Sequence, residues 1–291
     1  MKTFKSNSFE VQEFEGLNEF ARFCENDVNA AFKKFWRDKR CSHSEGASST
    51  AFCGTASFEE ASNLMINGYQ EGLKKLKETK TKLTERTAQQ RPQIKLDVVG
   101  FAPCVPNAII GLPKSMIKRE KIAPKTPIIN IFYNVSVNGD IDKDVLFEGG
   151  KNLLAAVKTL EAQGIRVNLK VGDISYAKKN AIKMCSVVIK KAAQSLNPLL
   201  VSYPLTHPSF LRRHVFAWEE VSSLTNASGW VVNYGRAFYS HPMVKGATDG
   251  ERGLLKHEGV LSKNDYYLNA LEAARAESLD DLFKTMGLLK K

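Results

Sequence analysis

Residues 127–171 carry the pattern that most narrows what this chain can fold into. The run Pro127-Ile128-Ile129-Asn130-Ile131-Phe132-Tyr133-Asn134-Val135-Ser136-Val137 is dense in β-branched and aromatic side chains, which favour a buried strand. Gly139 and Asp140 supply a turn. Val145, Leu146, Gly149, Leu153, Ala156, Val157 and Leu160 then recur at helical spacing. Gly164 stands where a helix terminator belongs. Beyond it, Ile165, Val167, Leu169 and Val171 alternate with Arg166, Asn168 and Lys170, the signature of a half-buried strand. A strand–helix–strand unit returns its second strand parallel to the first. The expectation is therefore an α/β fold: a Rossmann-like, mainly parallel sheet with flanking helices.

The rest of the chain divides around that unit. Residues 1–92 read as a helical N-terminal region, and residues 93–291 as the α/β domain with a C-terminal helix. Phe14, Leu17, Phe20, Ala21 and Cys24 trace one apolar stripe, continued by Val28, Ala31, Phe32, Phe35 and Trp36, so residues 10–40 are expected to be helical. Residues 41–56 are small and polar and read as a loop. Ser57 with Glu60 makes a capping box for a helix through Leu76. Ile94 to Val99 suggests a short strand. Residues 100–113 hold three prolines and two glycines among apolar residues, the mark of an ordered, partly buried loop that can shape a pocket or an interface. Residues 182–188 fit a strand or a helix, Leu199–Tyr203 and Gly229–Tyr234 read as strands, and Pro208 opens a helix through Trp218. Residues 241–260 look loop-like, and 263–288 look like an amphipathic helical tail.

Several function classes are excluded by composition or left without a motif. With 43% hydrophobic and 25% charged residues, the chain is an ordinary globular one. Its apolar runs are too short to span a bilayer, and Met1 to Asn7 lacks the core of a signal peptide, so no membrane partner is expected. Cys24, Cys41, Cys53, Cys104 and Cys185 include no C-x-x-C pair, which points to reduced thiols and a cytoplasmic location. His207 and His214 do not have the i, i+4 spacing of a zinc helix, and Cys53 with His43 is better explained as a buried thiol near a loop histidine. Nucleophile-elbow and phosphate-cradling patterns are missing, and Gly149-Gly150-Lys151 lies inside a helix.

One polar cluster sits at the strand ends: Asn134, Ser136, Asn138, Asp140 and Asp173. In open α/β sheets ligands bind outside the carboxyl ends of the strands, although Asn-Gly-Asp is also ordinary turn chemistry. Asn134-Val135-Ser136-Val137-Asn138 resembles the start of a von Willebrand factor A-type domain, where an apolar strand ends in Asp-x-Ser-x-Ser and holds magnesium. Ser136 is kept, and Asn134 replaces the first carboxylate. The resemblance covers residues 127–240. It implies a Rossmann-like fold and a possible Mg2+ site built from Asn134, Ser136, Asp140 and Asp173. Magnesium sites rest on one or two carboxylates, which Asp140 and Asp173 would have to supply. No other cofactor is implied. Separately, His207-Pro208-Ser209-Phe210-Leu211-Arg212-Arg213, with the Gly54 to Gly68 helix, is similar to an uncharacterised family of tailed-bacteriophage proteins. That similarity implies a bacterial-host or virion setting and no particular activity.

The formal net charge is +11, and its distribution carries more information than its size. Basic residues concentrate at 74–95, 114–125 and 178–191, with few acids among them. Segregated charge suits phosphate contact. The expected nucleic-acid contacts are Lys74, Lys75, Lys77, Lys80, Lys82, Arg86, Lys118, Arg119, Lys121, Lys178, Lys179, Lys183, Arg212 and Arg213. Residues 74–95 hold no aromatic residue, so contact to the backbone is favoured over base stacking. The expected function is a non-catalytic, phage-associated binding or assembly protein with a protein partner or self-association. One alternative is a divalent-metal-dependent enzyme acting on a phosphate-containing substrate. Another is a self-assembling ring or shell subunit joined through residues 100–113.

Overall fold

The computed structural model describes residues 1–6, 9–36, 40–78, 93–120, 127–178, 181–223, 238, 244, 250–262 and 264–289. The strand–helix–strand unit lies at its centre as β6 (Ile128–Asn134), α7 (Lys143–Ala162) and β7 (Arg166–Lys178). Asp142 caps α7 by accepting the Asp144 N–H, and the helix ends before Gly164, whose φ is 82°. Ile128 to Asn134 pairs parallel with Arg166 to Gly172.

Around that pair a six-stranded sheet forms in the order β1-β2-β8-β7-β6-β9. β8 (Ala181–Lys190) runs antiparallel to β7, which settles residues 182–188 as a strand. β1 (Lys2–Ser6) and β2 (Phe9–Phe14) form a hairpin, and β2 lies parallel to β8. The first strand pair thus falls inside the region expected to be helical, and the main sheet crosses the division between residues 1–92 and 93–291. At the other edge, β9 (Asp265–Asn269) pairs parallel with β6 where a helical tail was expected.

Helices cover one face of the sheet: α1 (Leu17–Cys24), α4 (Phe58–Asn67), α7, α8 (Pro198–Thr206), α9 (Phe216–Val221), α11 (Ala270–Arg275) and α12 (Leu279–Met286). Phe20, Tyr133, Leu153, Val171, Tyr203, Trp218 and Leu282 are among the residues in that core. The opposite face carries a smaller cluster, in which Phe9, Phe132, Ile174 and Tyr267 meet Leu254 and Leu255 of α10 (Gly250–His257). Within the 241–260 stretch expected to be a loop, residues 250–257 are therefore helical. Leu199–Tyr203, expected as a strand, is helical because Asn197 caps the Leu199 N–H and Pro198 opens the first turn. α2 (Ala30–Trp36), α3 (Ala47–Cys53) and α5 (Gln70–Glu78) complete the N-terminal helices, with Gly68 at φ 86° separating α4 from α5. Residues 210–215 form a π-helical segment leading into α9. The expected strand at Gly229–Tyr234 lies outside the described residues.

Residues 93–120 form a separate three-stranded antiparallel sheet, β3-β5-β4. It comprises β3 (Gln93–Asp97), β4 (Ala102–Pro103) and β5 (Met116–Glu120), with the short α6 (Val105–Ile109) between β4 and β5.

Candidate functional site

Pleating separates the strand-end residues expected to act together. Along β6, Tyr133 faces the larger core, so the next side chain, Asn134, faces the smaller one. Its amide donates to the Tyr267 hydroxyl at 2.8 Å. Tyr267 in turn donates to Glu251 at 2.9 Å, and the Asn269 amide donates to the same carboxylate oxygen at 2.7 Å. Burial pushes the Glu251 carboxyl up to about 7.

Asp173 lies on the other face, where burial raises its carboxyl and the Ser136 and Ser175 hydroxyls act against that rise. Beside it, Lys183 forms a buried ion pair with Glu219, Ser175 donates to Glu219 at 2.5 Å, and the Lys183 ammonium lies 5.6 Å from the Trp218 ring centroid. Burial also pushes the Lys183 ammonium down to about 7. Asp140 stands exposed on the turn. Of the four expected metal ligands the fold holds the Ser136 N–H against Asn134 Oδ1 at 2.9 Å and sets Ser136 beside Asp173, while Asp140 stands apart. Among the described residues no group of three or more His, Cys, Asp or Glu is arranged to hold a metal.

The expected phosphate contacts also divide. Arg213 is 0% exposed, and its guanidinium donates to Ser42 O, Ser44 O, Thr55 O and Thr55 Oγ1 at 2.8–3.1 Å. Arg212, 5% exposed, donates to Phe52 O and Ile141 O and stacks 4.1 Å over the Phe52 ring. With Lys183 at 2% exposure, these three cations hold the interior together and do not face phosphate. Lys74, Lys75 and Lys77 are exposed on α5, and Lys118 is exposed on β5, where it pairs with Asp97 at 2.8 Å. The side chains of Arg119 and Lys178, and the whole of Lys80, Lys82, Arg86, Lys121 and Lys179, lie outside the described residues.

Two surface features stand out among the described residues. One is a cleft of about 710 Å³ between α4, α5 and the first turns of α7, with Gly54, Thr206, His207 and Pro208 among its lining residues. His207 sits between Tyr69, edge-on at 4.8 Å, and Tyr203, stacked at 5.4 Å. Burial pushes its imidazole down to about 4, so the ring is neutral at ordinary pH. The other is the small sheet. Half of the large apolar side chains exposed among the described residues fall between Val98 and Leu112, with Val99 at 74%, Ile109 at 78% and Ile110 at 69% exposure. No charged residue occurs from Val98 to Pro113. The segment expected to be partly buried is thus largely in solvent.

Sequence reasoning placed Asn134, Ser136 and Asp173 in one cluster but missed Glu251, Glu219 and Tyr69. Their partners come from distant elements, and one sequence gives no signal for that. The fold and these clusters define a mixed α/β protein with buried ionic centres and an exposed apolar module. Residues 5–290 match the family model described as Domain of unknown function (DUF7192), and the chain belongs to that family. Comparison with curated proteins and with solved structures finds no match.

Proposed function

We propose that this chain is a non-catalytic binding or assembly protein whose contact with a protein partner, or with further copies of itself, is the apolar module of residues 98–112. One observation carries the reading: Val98, Val99, Phe101, Val105, Ile109, Ile110 and Leu112 are all exposed within one short segment. Contiguous apolar surface of this kind marks an interaction site. The metal-dependent enzyme is the weaker reading, because Asn134 and Asp173 occupy opposite faces of the sheet and Asp140 stands apart from both.

The finer parts of the proposal rest on separate observations. A von Willebrand A-like arrangement is supported by the parallel β6–α7–β7 unit. A reducing, cytoplasmic setting is supported by five cysteines that all remain free thiols, and a phage-associated setting by the residue 207–213 similarity. Contact with nucleic-acid phosphate is supported by the exposed Lys74, Lys75 and Lys77 on one helix.

Mass photometry of protein purified from its native cells tests the central reading. The native chain should appear in a discrete complex, and Ile109→Asp with Ile110→Asp should release a folded monomer of unchanged melting temperature. A variant that keeps the native mass distribution overturns the module as the contact. Electrophoretic mobility shift at low salt tests the nucleic-acid part. Lys74→Glu with Lys77→Glu should remove a shift seen with the native chain, and no shift with the native chain overturns that part.

A further inference from the structure

The cleft beside His207 shares no lining residue with the apolar module. On one wall α5 presents Glu71 and Lys75, an i, i+4 pair at 2.8 Å. On the other, the first turn of α7 presents Lys143 and Asp144. Lys75 and Asp144 attract one another across the opening. Each wall therefore offers one cation and one anion, and the Tyr69 and Phe147 rings lie in the same lining. No side chain extends from Gly54 into the floor. Its φ is 80°, and a Cβ there would stand 2.9 Å from Pro208 Cγ and 3.2 Å from His207 Cε1.

At the floor, the Ser209 N–H donates to His207 Nδ1 at 3.2 Å, while the Ser209 hydroxyl donates to Cys53 O at 3.0 Å. An accepting Nδ1 leaves the proton of the neutral ring on Nε2, at the ring edge beside Gly54. That edge is a donor, and the Glu60 and Glu71 carboxylates act on the ring ahead of the Lys75 and Lys143 ammonium groups. A carboxylate placed there would meet one N–H, with Lys75 and Lys143 in the same lining. An ammonium placed toward Asp144 and Glu71 would meet two carboxylates, with aromatic faces available to the atoms between. Glu60 and Glu148 also line the cleft, but Glu60 accepts the Ala56 N–H at 2.6 Å and Glu148 pairs with Lys151 at 2.5 Å.

We infer that this cleft binds a zwitterionic ligand of the α-amino-carboxylate class with an apolar or aromatic side chain. The same chemistry is offered by a free amino acid and by a short peptide. A cavity of about 710 Å³ lies within the ordinary range for small-molecule sites.

Isothermal titration of the full chain with phenylalanine, triphenylalanine and N-acetyl-phenylalanine amide tests the inference. One of the two zwitterions should bind, and which of them binds identifies the source. The blocked compound, which lacks both charges, should not bind. Lys143→Ala and Asp144→Asn should each weaken binding at least tenfold. Both positions are exposed, so the melting temperature of the free protein should stay the same and report intact folding. Failure of both zwitterions to bind at millimolar concentration overturns the inference. So does equal binding of the blocked compound, or affinity that neither substitution changes. None of these outcomes bears on the apolar module, whose test is the state of assembly.

Discussion

At the scale of single residues, the cations show how little a basic side chain in a sequence says about its surroundings. Arg212 and Arg213 look like a phosphate-binding pair, yet each guanidinium is consumed by backbone carbonyls of other segments. The fork of five N–H donors suits that use. Removing one leaves buried acceptors without partners, at about 1–3 kcal/mol each. Arg213→Met should therefore cost about 3 kcal/mol or more in urea denaturation and leave any nucleic-acid affinity unchanged.

The histidines give a second prediction at the same scale. Burial holds His43 and His207 down to about 4 and His214 to about 3. The unfolded chain takes up protons near pH 6.5, before the folded chain does. Stability should then fall as pH drops from about 6.5 toward 4 and level off below the folded values. His214 is fully buried, between the Tyr203 hydroxyl at 2.9 Å and the Ser62 hydroxyl at 3.3 Å. His214→Gln should flatten that acid limb in denaturation curves taken across the range, even if the variant is less stable at pH 7.

Glu251 works in the opposite direction. Its folded carboxyl is raised to about 7, so the folded chain binds the proton more tightly than the unfolded one between about 4.5 and 7. Stability from this group is present at low pH and lost as pH rises through 7. Glu251→Gln keeps an acceptor for Tyr267 and Asn269 and cannot ionise. It should raise the urea midpoint at pH 8 and leave it little changed at pH 5.

At the scale of elements, the best-read parts were those with one buried face or strong periodicity. β6 emerged from its β-branched and aromatic run, and α7 and the first part of β7 from periods of 3.6 and 2, although β7 continues to Lys178, past the expected Val171. β2 was hidden because both of its faces are covered. Phe9 and Val11 enter the smaller core while Gln12 and Phe14 enter the larger side, so its apolar residues do not alternate cleanly. β9 was hidden because Asp265-Tyr266-Tyr267-Leu268-Asn269 is short and joins directly to a helix capped by Asn269. Gly149 and Gly150 were legible only as interruptions within a helix. In the fold they let α7 touch its neighbours through backbone. A Cβ on Gly150 would stand 2.2 Å from Leu205 O, and one on Gly149 would stand 2.6 Å from Ala270 O. Gly150→Ala should therefore lower the melting temperature sharply although alanine is the better helix former, since a carbonyl oxygen in a packed helix cannot step aside.

At the scale of the whole molecule, the smaller sheet and the larger one obey different rules. The larger sheet buries both faces and holds its charges in pairs, whereas residues 98–112 leave apolar side chains in water. An exposed apolar patch of this kind marks an interaction site, which is why its test is a measurement of mass and not of activity. The candidate cleft was not legible at this scale either. It is assembled from α4, α5, α7 and the segment before residue 208, and its charged side chains face one another only once those four pieces meet.

The order of the larger sheet has a consequence for how the chain is made. Phe9 to Phe14 finds its neighbour only when Ile182 to Val187 is available, and the free edge of β6 closes only with Asp265 to Asn269. A ribosome releases those partners late. Until then the emerging chain holds Phe9, Val11 and Phe14 without cover, and pairing across such long sequence separations is slow. During synthesis the first hairpin thus passes through an interval in which no further strand of the sheet is yet present to lie beside it.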